Sequence, residues 1–136
     1  MNAQRFLDAQ APVIAQALKE LREGSKQSHW MWFVFPQMAG LGHSPMAQHF
    51  AMYSLAEAQA YLVHPVLGPR LRECTEAVLG VESRSAHEIF GSPDDLKFHS
   101  SMTLFHHAAP DDALFRTALD KYFAGEEDPL TLEKLH

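Results

Sequence analysis

Helix start signals recur along this chain at intervals too short for long helices. Ser44 precedes Pro45, Ser54 and Ser85 each stand three residues before a glutamate (Glu57 and Glu88), Ser92-Pro93 leads into Asp94 and Asp95, and Asp128 precedes Pro129. A Ser or Asp side chain accepts from backbone N–H groups that a helix start leaves open, and a Glu three residues on returns the bond. Proline fits the first turn, and first-turn acids meet the positive end of the helix dipole. Stops follow in register: Gly24 after Phe6, Ala9, Val13, Ala17, Leu18 and Leu21, Gly80 after Leu67, Leu71, Cys74, Thr75, Val78 and Leu79, and Gly125 after Ala113, Leu114, Ala118, Leu119, Tyr122 and Phe123. These spacings of three and four, each closed by glycine, are amphipathic helices. Pro12 interrupts the first, so a helix is predicted from about Pro12 to Glu23, preceded by a looser turn.

One segment departs from helical periodicity. "WMWFVF", Trp30 to Phe35, has the aromatic and β-branched content of a strand, yet its unbroken apolarity equally suits a buried helical turn. A lone strand would leave backbone groups unpaired, so it needs a partner or a helical conformation. The expected fold is therefore mainly α, a compact single-domain bundle of several short helices over residues 1–136, with room for one short extended segment at Trp30–Phe35. A chain of 136 residues, 46% hydrophobic and 21% charged, fits one such domain and lies far from the composition of disordered chains.

Charge and cysteine content narrow the function classes. The formal net charge of -6 and the absence of a Lys/Arg stripe disfavour a nucleic-acid duplex as partner. The single cysteine, Cys74, makes no intramolecular disulfide and sits on an apolar stripe, as a small core residue does. No segment has the apolar length of a membrane span, and the N-terminus lacks a secretory pattern, so a cytoplasmic protein is expected.

Three stretches, "SHWMWFVFPQMAGLG" (Ser28 to Gly42), "AYLVHPVLGPRL" (Ala60 to Leu71) and "KFHSSMTLF" (Lys97 to Phe105), resemble the DUF1810 family, a domain family of unknown function. The resemblance runs over nearly the whole chain and implies a mainly α-helical fold. It implies no reaction. Family members sometimes carry a calpastatin-like label, but a calpastatin-type inhibitor is a long disordered chain, whereas this short chain has core-forming periodicity throughout.

The residues themselves point to a small-molecule site. Ser28, His29, Trp30, Trp32 and Gln37, followed by Gly40 and Gly42, combine flat apolar walls with an amide and an imidazole able to orient a polar ligand. The glycines allow close backbone approach just before a helix start. Equally, the aromatics can be core and the polar residues can satisfy buried backbone. In a helical "KFHSSMTLF", Lys97, Ser100 and Ser101 share a face near Thr103, and a cation beside hydroxyls suits a phosphate or carboxylate, or an activated nucleophile. Arg70, in the Gly68-Pro69 junction, is either a bidentate anion clamp or a structural partner of Glu73 or Glu57.

His29, Lys97 and Ser101 are thus the candidate catalytic residues, with Ser28, Trp30, Trp32, Gln37, Gly40, Gly42, Arg70, Ser100 and Thr103 as candidate ligand contacts. His99 and His106 are two turns apart, too far to share an ion unaided, so neither a metal site nor a cofactor is expected. The expected ligand is a small anion of nucleotide type, NAD-like or ADP-ribose-like, with turnover left open. The competing reading is a protein-interaction module that presents the aromatic "SHWMWFVFPQ" segment to a partner.

Overall fold

The computed structural model describes residues 1–135, which form ten helices and no strand. They are α1 (Gln4–Gln10), α2 (Ile14–Glu23), α3 (Met31–Val34), α4 (Pro45–His49), α5 (Leu55–Val63), α6 (Leu67–Leu79), α7 (Ala86–Phe90), α8 (Asp94–Ala108), α9 (Ala113–Phe123) and α10 (Pro129–Leu135). Three of the serine signals act as their chemistry dictates, whereas Ser92 caps nothing, since α8 follows Pro93 without a side-chain cap. The hydroxyls of Ser44, Ser54 and Ser85 accept from the backbone N–H groups of Ala47, Glu57 and Glu88, and Glu88 closes a full capping box. Gly24 ends α2 in the left-handed region at φ 72°.

The N-terminal segment differs from expectation. Residues before Pro12 form a regular helix, α1, rather than a loose turn, and α2 starts at Ile14. Pro12 thus divides one apolar pattern into two helices, because α1 buries Phe6 and Gln10 on its own account. The Trp30–Phe35 run is a single helical turn and not an extended segment. Its Phe33 carbonyl accepts 2.6 Å from Gln10 Nε2, so a buried side chain supplies the partner that a strand would have needed. Extended pairing occurs slightly later: Met52 N donates to Gln37 O and Ala39 N to Met52 O, at 2.8 and 2.7 Å, a lone parallel bridge that fixes the Gln37–Gly42 loop.

Helix α8 is the centre. Every residue from Ser100 to Phe105 is buried, and the helix packs against α5, α7, α9 and α10. Around it Trp30, Phe35, Phe90 and Phe98 make tilted, edge and stacked contacts at 4.7 to 6.3 Å between centroids. The α5–α6 junction is closed by His64, whose Nδ1 accepts from Val66 N and Leu67 N at 3.1 and 3.2 Å. No helix among the described residues is long and apolar enough to cross a membrane.

Candidate functional site

The polar end of the aromatic run is organised by Glu20, a residue only 1% exposed on α2. Its carboxylate accepts from Gln27 N, Ser28 N, Ser28 Oγ, Trp30 Nε1 and Gln16 Nε2, at 2.7 to 3.0 Å. Burial pushes this carboxyl up, but the bonds from Ser28, Gln27 and Gln16 outweigh it and bring the group from its ordinary 4.5 down to about 2. Ser28 and Trp30 are therefore spent on holding the loop after α2 against that helix. Between them His29 turns outward and is exposed.

Two lysines meet one aspartate beside this loop. Lys26 Nζ lies 2.9 Å from Asp94 Oδ2 with its side chain 7% exposed, while Lys97 Nζ lies 3.4 Å from Asp94 Oδ1 with its side chain 22% exposed. Lys26 also donates to Ser28 O at 2.6 Å, and the two ammonium groups stand over the rings of Trp30 and Trp32 at 5.0 and 5.2 Å. Lys26 thus holds Asp94 closely, and Lys97 shares it at a longer distance.

Lys97 opens onto a cleft of about 410 Å³. One wall is the loop bearing Gln37, Leu41 and Gly42; a second is the first two turns of α8 with Pro93, Leu96, Lys97, His99 and Ser100; the third is Asp128 and Leu130 at the start of α10. Gly42 lets the loop sit against α4, since a Cβ there would meet Ala47 Cβ at 2.7 Å. Ser100 Oγ donates to Asp128 Oδ2 at 2.7 Å, Thr131 Oγ1 donates to the same oxygen at 2.6 Å, and Thr103 Oγ1 accepts from Asp128 N at 2.9 Å. Because the partner of His99 Nε2 is the Glu126 carbonyl, 2.7 Å away, that nitrogen carries the proton, and Phe123 stacks on the ring at 4.0 Å.

The fold brings Gln37, Gly42, Lys97 and Ser100 to one cleft, with Trp32 and Thr103 supporting Lys97 and Asp128 and Gly40 in the adjoining loop. It separates the rest. His29 lies outside the cleft, and Ser101, one residue and about 100° around the helix from Ser100, is fully buried with no hydrogen-bond partner among the described residues. Arg70 reaches Gln10 Oε1 at 3.4 Å and neither glutamate, since Glu73 pairs with Arg22 and Glu57 accepts from Tyr53 N, and it does not line the cleft. The cleft walls are aliphatic where aromatic ones were expected: Trp30, Phe33 and Phe35 are core. Of the "SHWMWFVFPQ" segment, Trp30, Met31 and Phe33 to Pro36 are buried, and Trp32 is half-buried beneath the Lys97 ammonium. Burial raises the Cys74 thiol to about 12, too high for a nucleophile.

Leu41, Pro93, Leu96, His99, Asp128 and Leu130 line the cleft without being among the candidate site residues read from the sequence. Asp128 reads from the sequence as a helix start before Pro129, a role it fills, since Leu132 N bonds to its carbonyl, and as a carboxylate that only the fold could bring to the site. Nothing local in the sequence shows that its carboxylate meets Ser100.

Residues 1–135 match the family described as protein of unknown function, DUF1810. The chain is also similar to a solved structure, the conserved hypothetical protein Rv1873 from Mycobacterium tuberculosis, at 54% identity over 98% of this chain and 96% of that one, with a TM-score of 0.97. No curated protein matches the chain.

Proposed function

The chain belongs to the DUF1810 family, which names no activity, and from its cleft we propose a binding site for a small anionic, nucleotide-like ligand. The observation that carries this reading is the unequal sharing of Asp94: two ammonium groups face one carboxylate, Lys26 takes it at 2.9 Å, and Lys97 is held at 3.4 Å. One positive charge therefore stays uncompensated at the cleft edge, on the more exposed lysine. Trp32 steadies that ammonium by a cation–π contact, which leaves its remaining donors for a ligand oxygen. A cleft of about 410 Å³ falls in the ordinary range for small-molecule sites, and Leu41, Leu96, Leu130 and Pro93 supply apolar faces for a flat ring. Gln37 and Ser100 offer hydrogen bonds to its polar edge. In this reading Lys97 anchors the anion, and His29 and Ser101 take no part.

A thermal-shift series with nucleotides, NAD, ADP-ribose, sugar phosphates and simple phosphate tests it, with Lys97→Ala in parallel. A ligand at a hundred times its Kd adds about 2.7 kcal/mol, a rise of several degrees for a domain this size. The rise should vanish in Lys97→Ala. No rise with any anion, or an equal rise in the variant, would refute the proposal.

A further inference from the structure

We infer that the cleft selects a phosphorylated sugar, with Asp128 as the residue that reads its hydroxyls. The inference rests on the anion site proposed above and adds what lies opposite Lys97. Asp128 has no cation within ion-pair distance among the described residues. A bare carboxylate in a cleft that receives an anion opposes binding, unless the ligand also brings hydrogen-bond donors. The side chain is built to meet them: Ser100 and Thr131 both donate to Oδ2, Thr103 fixes the backbone N–H, and among the described residues no donor reaches Oδ1. An aspartate held rigidly with one open oxygen is a hydroxyl acceptor, the chemistry by which acidic side chains hold a ribose diol.

The spacing agrees with such a ligand. Lys97 and Ser100 lie three residues apart on the same face of α8, about 4.5 Å along the axis, and Ser100 carries Asp128. In a ribofuranose the phosphate-bearing arm and the diol project to opposite faces of the ring, so the phosphate can meet Lys97 as the diol meets Asp128. The neutral groups around the carboxylate favour several hydroxyls over a single ammonium. Gln37 and Ser100 are uncharged, and His99 is turned with its Nε2 toward the Glu126 carbonyl.

Calorimetric titration with ribose 5-phosphate, AMP, 2′,3′-dideoxy-AMP, inorganic phosphate and a short amino acid separates the possibilities, using the wild-type chain, Asp128→Asn and Lys97→Gln. The Asn amide oxygen still accepts from Ser100 and Thr131, so the local frame survives. AMP should bind at least about tenfold tighter than its dideoxy form, the ordinary worth of a hydrogen bond to a charged group. That preference should collapse in Asp128→Asn, while Lys97→Gln weakens both nucleotides. Equal affinity of AMP and dideoxy-AMP for the wild type overturns this inference and leaves the anion site intact, and needs no variant to fold. Tighter binding of the amino acid than of either sugar phosphate overturns it as well. Failure of every phosphate compound to bind refutes the anion site and the sugar reading together.

Discussion

Replacing Glu20 by Gln should cost this fold about 3 kcal/mol at neutral pH and progressively less in acid. The carboxylate is 1% exposed and accepts from two backbone N–H groups, a hydroxyl, an indole and an amide. Its fall from 4.5 to about 2, at about 1.36 kcal/mol per pKa unit, corresponds to about 3 kcal/mol of stabilisation of the ionised form. A carboxyl with a lowered folded value binds its proton more readily when unfolded. Its contribution is thus complete above pH 4.5 and is lost as pH falls toward 2. Glutamine cannot ionise, and its amide turns a donor toward groups that are themselves donors. Urea unfolding of both proteins from pH 7 to pH 2.5, with midpoints converted at a common slope, gives the difference directly and cancels the other acids. The gap should be about 3 kcal/mol at pH 7, begin to close below pH 4.5, and be mostly gone near the lower end. A gap under about 0.5 kcal/mol at pH 7, the level of an ordinary surface substitution, or one that does not change with pH, would refute the view that Glu20 is an ionised hub.

Three further outcomes follow from the packing. Gly68→Ala places a methyl 2.1 Å from the Leu62 carbonyl oxygen, so α5 and α6 must separate; a loss of about 3 kcal/mol or more in thermal or urea unfolding is expected, at the upper end of overpacking costs. Cys74, with its thiol raised to about 12 by burial, should resist alkylation by a thiol reagent at pH 8 in the native protein and react fully in denaturant. Trp30→Phe removes the 3.0 Å bond from the indole to Glu20 Oε1 and should destabilise by about 1.5–3 kcal/mol, the worth of a hydrogen bond to a charged group, with much less loss in a Glu20→Gln background if that bond is the cause.

Local chemistry was legible to the extent that it acts over three or four residues. The caps at Ser44, Ser54 and Ser85, the glycine stop after α2 and the stripe of α6 follow from near-neighbour hydrogen bonding and helical period, which the chain carries wherever it folds. Helix α1 is not legible locally, because Pro12 reads as the start of one helix rather than the divider of two, and the buried partners of Phe6 and Gln10 that favour α1 lie more than twenty residues away. The candidate site was half legible. Lys97 and Ser100 share a face by helical geometry alone, and Gln37 stands at the edge of an apolar run; His29 and Ser101 have the same residue chemistry, but one faces solvent and the other the core.

The sequence by itself determined the starts of α4, α5 and α7 and the stop of α2, that the aromatic run is mainly interior, and which side chains could meet an anion. The tertiary structure alone decided which of them are held by other side chains: Glu20 captures Ser28 and Trp30, Gln10 captures Arg70, and Ser100 meets Asp128 across 28 positions of chain. The reason is physical. Capping and periodicity are set by a residue's immediate neighbours, whereas the partner of a buried polar group is whichever donor or acceptor the packed core brings within 3 Å, and that depends on every helix at once.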